Sequence, residues 1–163
     1  MKITFQGNPL TLTGTQIKPG DALSSFTVTK NDLSPLTLDG TKGVRIFLTV
    51  PSLDTPVCDM EIREFNKRAA ELPGVTIYTI SMDLPFAQAR WCGAAGIENV
   101  ITASDYKDKA FAAATGTLIA ELGLLTRAAF VVDASGKVVY ADYLTEITEQ
   151  PDYDAILAAA KNA

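Results

Sequence analysis

The chain has no histidine. That excludes Ser-His and Cys-His catalysis and removes the commonest metal ligand. There are two cysteines, Cys58 and Cys92, far apart and without a Cys-x-x-Cys pair. Their spacing is that of neither a zinc site nor a thioredoxin-type redox motif. Gly-x-Gly-x-x-Gly, the P-loop and Gly-x-Ser-x-Gly are also missing. Positive charge is scarce: 14 Lys and Arg stand against 19 Asp and Glu, a net charge of -5. A nucleic-acid partner needs a basic face and is not expected. The longest apolar run, Ala155 to Ala160, is far too short to span a membrane. Met1-Lys2-Ile3-Thr4-Phe5-Gln6-Gly7 breaks too early to form the apolar core of a secretory signal. These absences lead us to expect a cytoplasmic protein with no metal and no other cofactor. In a reducing cytosol a disulfide is more often catalytic than structural.

What is present is enough to fold. A length of 163 residues predicts one domain spanning 1–163. Such a chain buries roughly 70% of its unfolded surface and needs no staples. Ile3–Phe5 and Leu10–Leu12 flank Gln6-Gly7-Asn8-Pro9 and predict an N-terminal hairpin. Short strands are expected at Phe26–Thr29 and Leu36–Leu38. Val44–Val50 reads as a buried central strand. Further strands are expected at Val75–Ser81, Val100–Thr102, Ala128–Val132 and Val138–Tyr143, and helices at Phe86–Cys92, Lys107–Thr115 and Asp152–Ala160. The alternation describes an α/β protein: one mixed sheet covered by helices on both faces.

The best-marked helix follows Pro56. Thr55 or Asp54 can cap it, and Pro56 suits its first turn. Cys58, Ile62, Phe65, Ala69 and Leu72 fall on one face. Cys58 is therefore either a packed core side chain or a thiol at a helix start. In the second case unpaired N–H groups and the helix dipole favour a thiolate. Ionisation alone does not make a fast enzyme. Raising the thiolate fraction tenfold is worth only about 1.4 kcal/mol, and nucleophilicity falls as the thiol becomes more acidic. Fast attack on a poor electrophile needs groups that align it and stabilise the leaving oxyanion. The Thr55 hydroxyl can reach the same helix mouth, or simply cap the helix. Pro51 and Pro56 stiffen the loop and shield the thiol. Arg127, entering the apolar run Ala128–Val132, either pairs with that thiolate or snorkels at a strand end. Asp59 and Glu61 place negative charge near the thiol, which calls for an arginine if the site is active.

At these residues the chain resembles a known family. Pro51-x-x-x-Thr55-x-x-Cys58, after a buried strand and opening a helix, is similar to the active-site motif of the peroxiredoxins. Asp83-Leu84-Pro85-Phe86-Ala87-Gln88-Ala89-Arg90-Trp91-Cys92-Gly93 resembles the resolving-cysteine helix of the thiol peroxidase subfamily, an atypical two-cysteine group. Asn99–Thr102, Arg127-Ala128 and Glu146-Ile147-Thr148-x-x-Pro151-Asp152-Tyr153 resemble that subfamily too, so the likeness covers essentially the whole chain. It implies a thioredoxin-like fold with an N-terminal hairpin. It also implies that Cys58 is the peroxidatic thiolate, that Thr55 and Arg127 hold the hydroperoxide and the departing oxygen, and that Pro51 shields the pocket. Cys92 would resolve the sulfenic acid as an intramolecular Cys58–Cys92 disulfide, which thioredoxin reduces. The subfamily forms homodimers. Asp59 beside Cys58, and Pro56 between Thr55 and Cys58, depart from the usual pattern.

A sulfenic acid condenses with a second thiol, and two cysteines are the minimum for that chemistry. Cys92 lies on a separate helix, and a disulfide needs Cα atoms within about 7 Å. Local unwinding around Cys58 and the Trp91-Cys92 helix end is therefore expected on oxidation, reported by Trp91, the only tryptophan. Two other readings compete: a thioredoxin-type thiol–disulfide oxidoreductase, and a non-enzymatic redox sensor. Against the first stand the missing Cys-x-x-Cys and the lack of a proline just before Ala128.

Overall fold

The computed structural model describes residues Met1–Ala163. Its strands are β1 (Lys2–Phe5), β2 (Asn8–Thr11), β3 (Thr27–Lys30), β4 (Pro35–Thr37), β5 (Val44–Thr49), β6 (Val75–Ser81), β7 (Val100–Ser104), β8 (Leu118–Ile119), β9 (Leu124–Leu125), β10 (Ala128–Val132) and β11 (Val138–Tyr143). The helices are α1 (Pro56–Arg68), α2 (Pro85–Ala95), α3 (Ala110–Thr115) and α4 (Tyr153–Lys161). Seven strands form the main sheet, in the order β11-β10-β5-β6-β7-β3-β4. The three central strands β5, β6 and β7 run parallel, and every other pairing is antiparallel. β5, as its apolar run predicts, lies inside the sheet, with Ile46, Phe47 and Leu48 all fully buried.

Alternation along β5 divides the core between the two faces. Ile46, Leu48 and Val50 pack with Cys58, Ile62 and Phe65 of α1 and with Ile156, Leu157 and Ala160 of α4, while Trp91, Cys92 and Ala95 of α2 lean on the same cluster. Phe47 turns to the opposite face, with Phe26, Tyr78, Phe130 and Phe111 of α3. Phe26 and Phe111 meet edge to face at 4.9 Å between ring centroids, and Phe47 stacks on Tyr78 at 5.2 Å. Arrangements of this kind favour aromatic pairs beyond their buried area. No helix is long and apolar enough to cross a membrane.

Several local details differ from the sequence reading. Helix α3 begins at Ala110 rather than Lys107, because the Asp105 carboxylate accepts the N–H groups of Phe111 and Ala112 and fixes where winding starts. Helix α2 runs through Gly93 to Ala95 and ends at Gly96, whose φ of 67° closes the last turn. Leu38 belongs to a short 3-10 turn capped by Thr37 rather than to a strand. The hairpin β8–β9 was not expected: two residues a side are too few to show any periodicity.

Candidate active site

Cys58 sits in the first turn of α1, which Pro56 opens. Thr55 caps the helix: its hydroxyl oxygen accepts the Cys58 N–H at 3.4 Å and donates to the Ser52 carbonyl at 3.0 Å. The loop before it is held from the entry to α2. Asp83 accepts the Ser52 hydroxyl at 2.7 Å and the Leu53 N–H at 2.8 Å. Pro51 is buried in that loop. The Cys58 side chain is fully buried.

Arg127 comes from the start of β10, 69 residues away in sequence, and meets Cys58 directly. Its Nη2 donates to Cys58 Sγ at 3.1 Å and its Nε to the Ile147 carbonyl at 2.8 Å, while Nη1 pairs with the Glu61 carboxylate. Arg127 is 2% exposed and Glu61 not at all. The snorkelling alternative for Arg127 is thereby set aside. Burial disfavours the Arg127 charge, yet Glu61 and Cys58 outweigh it and hold the guanidinium pKa above its usual value. Burial likewise lifts the Glu61 carboxyl to about 7, against the pull of Arg127. A guanidinium fork fixed on three sides presents charge and N–H groups to the sulfur without having to reorganise.

Cys92 lies elsewhere, half-buried near the end of α2. Its Sγ is 3.3 Å from the Thr102 hydroxyl on β7. β7 and β10 are separated by β5 and β6. Three interstrand steps put the two strands that hold the sulfur contacts about 14 Å apart. Both thiols are free. The structure thus gathers Cys58, Thr55, Pro51 and Arg127 around one helix start and leaves Cys92 at a second place.

Glu61 and Asp83 were not picked out as site residues from the sequence. Glu61 had a signal, because three residues after Cys58 is the same face of a helix. Asp83 had none, since its partners are Ser52 and Leu53 in another loop. Asp59 turns away from the sulfur: it pairs with Arg63 at 2.8 Å and accepts the Trp91 indole N–H at 3.1 Å.

A buried cysteine at a capped helix start, faced by a buried arginine on a mixed α/β sheet, defines a thiol-based oxidoreductase of thioredoxin-like fold. Comparison with known proteins narrows this. Residues 18–157 match the Redoxin family. The chain is 59% identical over 163 residues to a thiol peroxidase of Clostridium acetobutylicum, covering 100% of this chain and 99% of the relative. It is 52% identical over 161 residues to a thiol peroxidase of Bacillus subtilis, covering 98% and 96%. Among solved structures, a peroxiredoxin-like protein from Aquifex aeolicus superposes with a TM-score of 0.93 at 41% identity, covering 99% of this chain and 96% of that one. The chain belongs to the Redoxin family and, within it, to the peroxiredoxins of the thiol peroxidase group, and it is a peroxidase.

Proposed function

We propose that this protein reduces hydrogen peroxide and alkyl hydroperoxides at Cys58. The observation that carries the reading is the 3.1 Å contact of Arg127 Nη2 with a sulfur at the capped start of α1. The Cys58 thiolate attacks the terminal peroxide oxygen and the O–O bond breaks. The proton of the attacked oxygen passes to the departing oxygen, so alcohol or water leaves and Cys58 is left as a sulfenate, which takes one proton from water to become the sulfenic acid. Arg127 stabilises the departing oxygen, and Thr55 turns its hydroxyl from Ser52 to the bound peroxide. Pro51 and Leu53 exclude bulk water. The resting sulfur is sealed, so the loop Pro51–Thr55 opens to admit substrate.

Cys92 then attacks the Cys58 sulfenic acid, water leaves, and an intramolecular disulfide forms. The two anchoring strands stand far enough apart that α1 and α2 unwind locally for this step. Thioredoxin reduces the disulfide, and the assembled protein is a homodimer. The likeness to the thiol peroxidase group supports both expectations. A cytoplasmic location fits a disulfide that forms and breaks in each cycle.

The test is peroxide turnover with thioredoxin and its reductase. Cys58→Ser is expected to abolish it. Cys92→Ser is expected to consume one equivalent of peroxide, as Cys58 sulfenic acid, and then stop. Retained turnover in Cys58→Ser would overturn the proposal.

A further inference from the structure

Thr102 is 3% exposed, in the middle of β7. Its hydroxyl carries a single hydrogen, directed at Asn31 Oδ1, 3.0 Å away in the turn between β3 and β4. The oxygen therefore faces Cys92 Sγ, at 3.3 Å, with a lone pair. With its hydrogen given to Asn31, the oxygen meets the sulfur as an acceptor.

We propose that Asn31 and Thr102 are positioning residues for the Cys92 thiol, holding its sulfur against β7 until Cys58 has been oxidised. This rests on the reading of Cys92 as the resolving thiol. In that step Cys92 S–H and Cys58 S–OH become the disulfide and water. The S–H and S–O bonds break, the S–S bond forms, and the thiol hydrogen leaves on the water. The Cys92 sulfur leaves the Thr102 oxygen before it reaches Cys58, so the hydrogen bond is present at the start of the step and absent at its end. Removing it releases the sulfur sooner. A thiol is a weak donor, and the gain is correspondingly modest, roughly threefold.

Two rates test this. The first is iodoacetamide labelling of Cys92 at fixed pH in a Cys58→Ser background, where no peroxide chemistry takes part. The second is disulfide formation after one equivalent of hydrogen peroxide, with both cysteines present. Thr102→Val is expected to raise both rates about threefold, and Thr102→Ser, which keeps the hydroxyl, to match the parent protein. Asn31→Ala removes the group that orients the Thr102 hydroxyl and is expected to raise labelling as well. Its half-buried turn position makes it the working variant should Thr102→Val fail to fold. Parent-like labelling in Thr102→Val and Asn31→Ala would overturn the proposal, as would Thr102→Ser behaving like Thr102→Val. A parent protein that forms no disulfide at all overturns the reading of Cys92 itself. That result is distinct from a disulfide forming at an unchanged rate in the variants.

Discussion

At Arg127 one cationic fork serves two acidic neighbours, the Cys58 sulfur and the Glu61 carboxylate. Glu61 is fully buried, and its carboxyl is pushed up to about 7 from an ordinary 4.5. Between these values the native protein holds a proton that the unfolded chain has released. Stability therefore falls as pH rises through that window. Glu61→Gln keeps the shape and an acceptor for Arg127 but cannot titrate. Its denaturant midpoint is expected to fall less than that of the parent protein between pH 5 and pH 7.5. Asp105 and Asp142, also raised by burial, are present in both proteins, so the difference isolates Glu61. Equal losses would mean that Glu61 is ionised throughout. In the sequence Glu61 reads, with Asp59, only as negative charge near the thiol that opposes a thiolate. The sequence could not show that a buried cation, 66 residues away, would meet both groups.

Between elements, the two cysteine helices are joined by the neighbours of their cysteines. Asp59 follows Cys58, Trp91 precedes Cys92, and the two meet through the indole N–H. Arg63 completes the clasp: it pairs with Asp59 and stands 5.9 Å from the centre of the Trp91 ring. Half-exposed contacts of this kind are worth at most about 1 kcal/mol each, weak enough to break in the cycle proposed for the two cysteines. Peroxide treatment is expected to change Trp91 emission as α1 and α2 unwind, and reduced Asp59→Ala to show part of that change already. Identical spectra for reduced and oxidised parent protein would refute the unwinding. Helix α1 was legible because each of its signals is local: Pro56 in the first turn, the Thr55 cap and an apolar stripe. The start of α3 was not, because its cap is Asp105, five residues ahead of the helix across an intervening turn. The clasp escaped for a similar reason: Asp59 reads as a charge beside the thiol until α2 is seen to lie against it.

Across the whole molecule, the N-terminal hairpin is tied to the site through one short segment. Thr4 exchanges backbone hydrogen bonds with Thr145 and Ile147, and the Ile147 carbonyl accepts Arg127 Nε. Hairpin strands were readable from their turn, and a mixed sheet from strand–helix alternation. The docking of residues 2–11 on residues 145–147 was not, since nothing local marks partners some 140 positions apart. Glu146 holds this junction. Its carboxylate accepts the Gly7 N–H, which outweighs the small cost of burial, and the Thr148 N–H and hydroxyl bind it further. These donors hold its pKa at about 2, below the ordinary 4.5. The unfolded chain then binds more protons between those values, so this stabilisation is complete above pH 4.5 and is lost as pH falls toward 2. Glu146→Gln is expected to unfold at lower denaturant than the parent protein at pH 7, with the gap closing as pH falls from 4.5 to 2. The Glu61 window lies wholly above pH 4.5, so measuring both variants across the range separates the two carboxyls. A gap that stays constant down to pH 2 would show that Glu146 holds the hairpin by shape, not by charge.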